Sequence, residues 1–307
     1  MRATHVAQLV LLSLLWGGAY LFMRASAPAF GAMPMVFLRM ALASLLVLLP
    51  LTLWRGGFGA IRRNARGIVV FGAVFTALPF AGLGWSALSL SAGMLAVLQS
   101  AAPLFAAIVG RLWLGERIGP LRALGLAIGF SGVALLTWDR IGVREQAGLA
   151  ILATLAVTLM WGVSSHYARS RLAGVDPLAM TTGSLGVAAL ALAPFAWASW
   201  PAADPGAKAW AEVVFLGIAS SGAGFLLYFR LLRAIGPVRA TSVTFLNPIV
   251  AMAGATLYLG EPVTLRMALG CAVILAGTSL TLGLWPRRAP AAAAGYDGAR
   301  PPSTPSR

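Results

Sequence analysis

The sequence predicts an all-α membrane protein of ten transmembrane helices, arranged as two inverted five-helix repeats. Three observations predict it. Apolar residue types make up 59% of the 307 residues and charged types only 10%, with a mean hydropathy of +0.85, whereas an ordinary soluble domain is about 25% charged. Ten apolar segments, each long enough to cross a hydrocarbon layer of about 30 Å, follow one another along the chain. The two halves also repeat each other at a fixed offset. Together these exclude a soluble enzyme and a disordered protein. The single cysteine, Cys271, excludes an internal disulfide scaffold.

The first segment, at about 5–23, carries Leu15-Trp16-Gly17. Arg2, the apolar run Val6–Phe22 and Ala25-Ser26-Ala27 mimic a cleavable secretion signal, but a second copy of the segment occurs mid-chain, so it reads as a retained span. The second (34–54) contains Arg39, the third (67–88) Pro79, and the fourth (91–112) Gln99 and Pro103. The fifth (120–138) has Gly125, Gly129 and Gly132 for close helix packing. The sixth (147–168) carries Met160-Trp161-Gly162 and His166. The seventh (177–200) and eighth (210–234) follow, the ninth (238–259) holds Asn247-Pro248, and the tenth (263–285) holds Gly270, Cys271 and Gly277. Transmembrane strands would be shorter and would alternate in polarity. Residues 286–307, rich in Pro, Ala, Ser and Arg, read as a disordered cytoplasmic tail.

The repeat has an offset of 145 residues: Trp16 maps on Trp161, Arg24 on Arg169, Pro103 on Pro248 and Glu116 on Glu261. Each half is thus a five-helix unit, 5–138 and 147–285. Because five is odd, the second enters the membrane upside down, a recurrent plan of secondary transporters. The net charge of +15 sits between apolar runs, which argues against nucleic-acid binding and for basic cytoplasmic loops. Seventeen arginines fall on one side and five basic residues (Arg24, Arg140, Arg144, Lys208, Arg266) on the other, which places both termini in the cytoplasm. Equivalent positions carry arginine only where they face that side: Arg111, Arg117 and Arg122 map on Thr256, Pro262 and Met267.

Leu15-Trp16-Gly17-Gly18 with Arg24, Phe37-Leu38-Arg39, Pro103, Leu114-Gly115-Glu116, Trp161-Gly162, Asn247-Pro248 and Leu259-Gly260-Glu261 together resemble the EamA family of the drug/metabolite transporter superfamily. The resemblance covers the chain except its tail. It implies ten helices in two inverted bundles and transport of small metabolites, often export of amino acids or related compounds. The chain departs from a symmetric pattern at Arg39, whose equivalent is Ser184.

Several residues are candidates for the work. Pro103 and Pro248 remove the hydrogen bonds to the carbonyls of Gln99 and Thr244, which suits hinges beside a wet cavity or simple kinks. Gln99 and Asn247 are amides deep in spans, where an unpaired amide is costly, so they suit substrate contact or interhelical bonding. Arg39 suits a substrate carboxylate, a carbonyl partner or snorkelling to the outer interface. Trp16, Tyr20 and Trp161 suit cavity lining. Glu116 and Glu261, at helix ends on opposite faces, and His166 suit a gate or coupling site; the alternative is pairing with loop arginines such as Arg117 or Arg122. The remaining acids read as loop, span-end or tail residues, so no mid-span carboxylate offers a proton relay. No metal cluster, cofactor or P-loop is expected.

The sequence-level expectation is a secondary transporter of a small, partly apolar metabolite, an amino acid or drug-like compound, working by alternating access in the cytoplasmic membrane. Its cavity is expected among the first, second, fourth, sixth, seventh and ninth helices. The partners are a small-molecule substrate and the bilayer, and a homodimer is compatible with the chain. Competing classes are a non-transporting scaffold or receptor, a channel, and an intramembrane lipid enzyme, the last short of clustered His, Asp, Glu or Cys.

Overall fold

A computed structural model describes residues 3–138, 145–240 and 242–284. The tail at 286–307, Arg2, Arg140 and Arg144 lie outside the described residues. The described chain is helical, in the order α1 (Ala3–Phe30), α2 (Ala32–Trp54), α3 (Ala65–Ser86), α4 (Ala92–Trp113), α5 (Pro120–Thr137), α6 (Glu145–Arg171), α7 (Pro177–Ala198), α8 (Gly206–Ile235), α9 (Val243–Leu259) and α10 (Leu265–Leu282). Nine of these are long and apolar enough to span a membrane, and α9 is shorter. The molecule is a multi-pass membrane protein of two five-helix repeats.

Local chemistry fixes the breaks. Gly31 alone separates α1 from α2, and its φ of 76° is one that a side chain would strain. Pro120 and Pro177 open α5 and α7, where the missing N–H costs nothing. Asp176, Ser91 and Thr264 cap α7, α4 and α10 by accepting from the amides of Ala179, Met94 and Met267. α1 runs to Phe30 rather than ending near residue 23, so Arg24 is a helical residue, not a loop charge.

Packing follows a pseudo-twofold pattern. α1 packs on α9 of the other repeat, and its equivalent α6 packs on α4; α2 packs on α7 and α5 on α10. The α5–α10 seam is the closest approach. A Cβ on Gly277 would stand 2.3 Å from the Gly129 nitrogen, and one on Gly125 would stand 2.8 Å from the Gly277 carbonyl oxygen. In lipid, small residues permit this contact and van der Waals packing drives it. Gly17 and Gly162 act alike at the other crossings, against Val250 on α9 and the Ala106 backbone on α4. The Trp-Gly pair therefore has two jobs: the glycine brings the helices together and the tryptophan beside it turns inward.

Both copies carry a π-helical stretch at equivalent depth, Ala73–Ala77 in α3 and Phe215–Ala223 in α8; α2 has another at Leu42–Leu48. π-turns insert a residue and free carbonyls inside a helix, commonly at working sites. Pro103 coincides with a break: the fourth helix stops at Gln99 and resumes at Ala102. The freed Ser100 carbonyl accepts from Thr278 on α10 at 3.4 Å. Pro248, by contrast, lies inside a continuous α9 that begins only at Val243, after a short helix at Pro237–Ala240.

Candidate functional site

A cavity of about 430 Å³ lies between the two repeats. That is the size of a small-molecule site. All six residues expected to touch substrate, Trp16, Tyr20, Arg39, Gln99, Trp161 and Asn247, line it. Its walls also include α3 and α8, which the sequence reading left out. Phe71, Phe75 and Phe80 come from α3, and Ser220, Phe225, Tyr228 and Phe229 from α8. The π-turns account for this: spacings of four and then five residues share one face only where the helix is underwound, and an ordinary helical period disperses them.

The tryptophans cross between repeats. Trp16 packs edge-on against Phe225 at 5.7 Å, and Trp161 packs edge-on against Phe80, also at 5.7 Å. The Trp16 indole donates to the Ser220 carbonyl at 3.2 Å, within the π-helical stretch of α8.

Arg39 lies two turns into α2 and is 7% exposed, so it does not snorkel to the surface. Its Nε donates to Ser221 Oγ at 2.9 Å, and its guanidinium sits 4.7 Å from the centre of the Phe80 ring. Among the described residues it has no carboxylate partner. An intramembrane cation held this way keeps donors for a visiting anion. Three further buried polar atoms on the cavity wall have no partner among the described residues: Gln99 Nε2, Ser220 Oγ and Asn247 Oδ1. The Gln99 oxygen accepts from Thr158 at 3.1 Å. Buried polar atoms are seldom left unsatisfied unless something else occupies the site.

The gate candidates sit at the two ends of the bundle. In both copies the Leu-Gly-Glu segment ends a helix through a left-handed glycine, Gly115 at φ 67° and Gly260 at φ 66°. The following glutamate amide turns back to the helix, Glu116 to the Gly110 carbonyl at 3.2 Å and Glu261 to that of Ala255 at 3.1 Å. This left-handed turn folds each glutamate back over the end of its own helix. Neither pairs with the nearby loop arginines. Glu261 meets Arg24 of the first repeat at 3.3 Å, and Glu116 meets Arg169 of the second at 3.8 Å. His166 is 9% exposed and bonds the Gly162 carbonyl at 3.0 Å; it lies outside the cavity, beside Glu116 and against Gly110 of α4.

One span-end acid is buried in a pairing that its position does not reveal. Glu212, in the second turn of α8, is 4% exposed and accepts from the Tyr258 hydroxyl at 2.9 Å. Tyr258, 46 residues on, gives no local pattern that reveals this pairing.

The model of the EamA-like transporter family matches residues 4–138 and again 148–283. The chain belongs to the EamA-like transporter family. This EamA-like chain is 27% identical over 61% of its length to an uncharacterized transporter of Archaeoglobus fulgidus, spanning 67% of that relative. It is 27% identical over 90% of its length, and over 93% of the relative, to a protein of Streptantibioticus cattleyicolor named "Probable terminal-alkyne amino-acid exporter". A crystal structure 21% identical to it shares the fold, with a TM-score of 0.65, covering 92% of this chain and 98% of that one. The EamA-like fold thus presents a membrane transporter with the inter-repeat cavity described above.

Proposed function

We propose that the protein is a secondary transporter that carries a small, partly apolar metabolite across the cytoplasmic membrane by alternating access, with export as the working direction. One observation carries the reading: the cavity between the repeats is walled by aromatic rings and holds unpaired polar atoms of Gln99, Ser220 and Asn247 beside the buried Arg39. A solute with an apolar body and a polar head, such as an amino acid or a drug-like carboxylate, meets both requirements. Trp16, Tyr20 and Trp161 would contact the body, and Arg39, Gln99 and Asn247 the head. The break at Pro103 would serve as a hinge of α4, and Pro248 as a hinge within α9.

The basic residues Arg55, Arg62, Arg63, Arg66, Arg111, Arg117, Arg169, Arg171, Arg230, Arg233 and Arg239 gather at the end of the bundle where α1 begins, called the near end below. By the positive-inside rule that end is cytoplasmic. The relative named as an amino-acid exporter supports the export reading without fixing this chain's substrate. The test is efflux from vesicles loaded with a panel of amino acids, aromatic carboxylates and drug-like amphiphiles. Movement of at least one compound, lost in Asn247→Ala at equal protein level, is expected. No movement across the panel overturns the reading.

A further inference from the structure

The two ends of the molecule carry the same closing device, exchanged between repeats, yet they are in different states. At the far end, opposite the one where α1 begins, Arg24 of α1 pairs with Glu261 beyond α9 at 3.3 Å. Its Nη1 also donates to the carbonyls of Ala87 and Leu88 at 3.0 and 3.1 Å, and the second oxygen of Glu261 accepts from the Ala92 amide at 3.0 Å. Four segments are tied at one point. Aromatic contacts thicken the seal: Phe22 meets Phe215 and Tyr258, and Phe30 meets Trp210.

At the near end the equivalent pair, Arg169 and Glu116, stands 3.8 Å apart with side chains 73% and 42% exposed. No carbonyl or amide ties are made there among the described residues. The sequence supplies part of the reason: the position equivalent to Ala92 is Pro237, which has no amide to give. The cavity agrees with this difference. Phe71, Met180 and Phe229 line it toward the near end, whereas their equivalents Leu216, Met35 and Gly84 are buried in packing at the far end.

We propose that Arg24–Glu261 and Arg169–Glu116 are two alternately made latches, each joining one repeat to the other, and that the missing amide at Pro237 biases the protein toward the conformation with the far latch made and the cavity open to the near end. This rests on the alternating-access reading. The odd helix count makes it mechanically consistent: the same two residues, exchanged, close opposite faces. An exporter with this bias waits open to the side from which it loads.

The test reads accessibility rather than flux. In the full chain, Cys271 is replaced by Ala and Ser184, on the cavity wall, by Cys. A membrane-impermeant maleimide is added to intact cells and to inverted membrane vesicles, and the ratio of far-end to near-end labelling is taken. The parent labels mainly from the near end. Glu261→Gln raises the ratio about fivefold, as expected for loss of a partly exposed ion pair, and Arg24→Gln does the same if that variant does not accumulate. Glu116→Gln lowers the ratio. The exchange Arg24→Glu with Glu261→Arg returns it toward the parent. Pro237→Ala, which restores the absent amide, raises it. A purely structural role for the pairs would not give shifts of opposite sign. Equal shifts in Glu116→Gln and Glu261→Gln, or no shift in either, overturn the proposal. Labelling that shifts as stated in a protein that carries no solute keeps the latches and removes the transporter reading, so the two failures are distinct.

Discussion

The Trp16 indole occupies the space that a side chain at Gly224 would need: a Cβ there would stand 2.7 Å from Trp16 Nε1. The ring comes from the first repeat and the glycine from the second, so cavity shape depends on their register. Gly224→Ala is expected to push the indole off the Ser220 carbonyl and into the cavity. The measurement is the transport KM together with tryptophan emission, with a several-fold rise in KM and a spectral shift expected at near-normal thermal stability. Unchanged values for both would mean that the indole is free to move.

Packing of α5 on α10 gives a prediction about stability. In Gly277→Ala the new Cβ meets backbone atoms, at 2.3 Å from the Gly129 nitrogen and 2.6 Å from the Gly125 carbonyl oxygen, and neither can rotate away. A cost of about 1–3 kcal/mol is expected, the range for overpacking. Gly18→Ala is the control, because its Cβ would meet Phe215 at an ordinary 3.7 Å and alanine favours a helix by about 1 kcal/mol over glycine. Thermal melts in detergent decide it: the first variant melts well below the parent and the second does not.

These two cases also show which features were legible in the sequence. Repeats, spans and the sign of each loop follow from composition and offset, because hydrophobic length and positive-inside asymmetry act locally along the chain. Trp16 and Arg39 stood out because polar or aromatic groups deep in spans are costly or rare. Phe71, Phe75 and Phe80 did not, since phenylalanine in a span reads as lipid-facing until the π-turn of α3 places the three rings on one wall. Nor did the partner of Glu116. Arg117 is its neighbour in sequence, but the left-handed turn at Gly115 leaves the carboxylate facing Arg169 across the repeat boundary, and only the three-dimensional crossing of α4 and α6 reveals that. Glu212 and Tyr258 were hidden for the same reason.

Arg39 offers a test of substrate chemistry. Its guanidinium is buried with one hydrogen bond to Ser221 and no carboxylate partner among the described residues, so a substrate carboxylate is the expected counter-ion. A charge-assisted hydrogen bond contributes roughly 1.5–3 kcal/mol. Binding of 3-phenylpropionate should exceed that of its neutral amide by at least about tenfold. Arg39→Met should erase the difference while leaving amide binding in place, and Arg39→Lys should keep only part of it. Quenching of the cavity tryptophans in purified protein is the readout. Equal binding of acid and amide by the parent rules out the carboxylate role.

Asn247 separates function from folding most cleanly. Its Oδ1 is buried without a partner among the described residues, so it contributes a desolvation cost to the empty protein rather than a bond. Asn247→Ala removes that cost along with a small packing volume. The expected result is a melting temperature within a few degrees of the parent, since a lost unsatisfied group offsets a modest cavity. Flux should nevertheless fall at least about tenfold, because the oxygen would pair only when substrate is present. Gln99→Ala differs: it removes the bond accepted from Thr158 as well as the unpaired nitrogen, so it should lower both flux and melting temperature. If both variants melt and transport alike, the unpaired oxygen of Asn247 is not where the solute binds, and the polar end of the site must be sought at Ser220 and Arg39 alone.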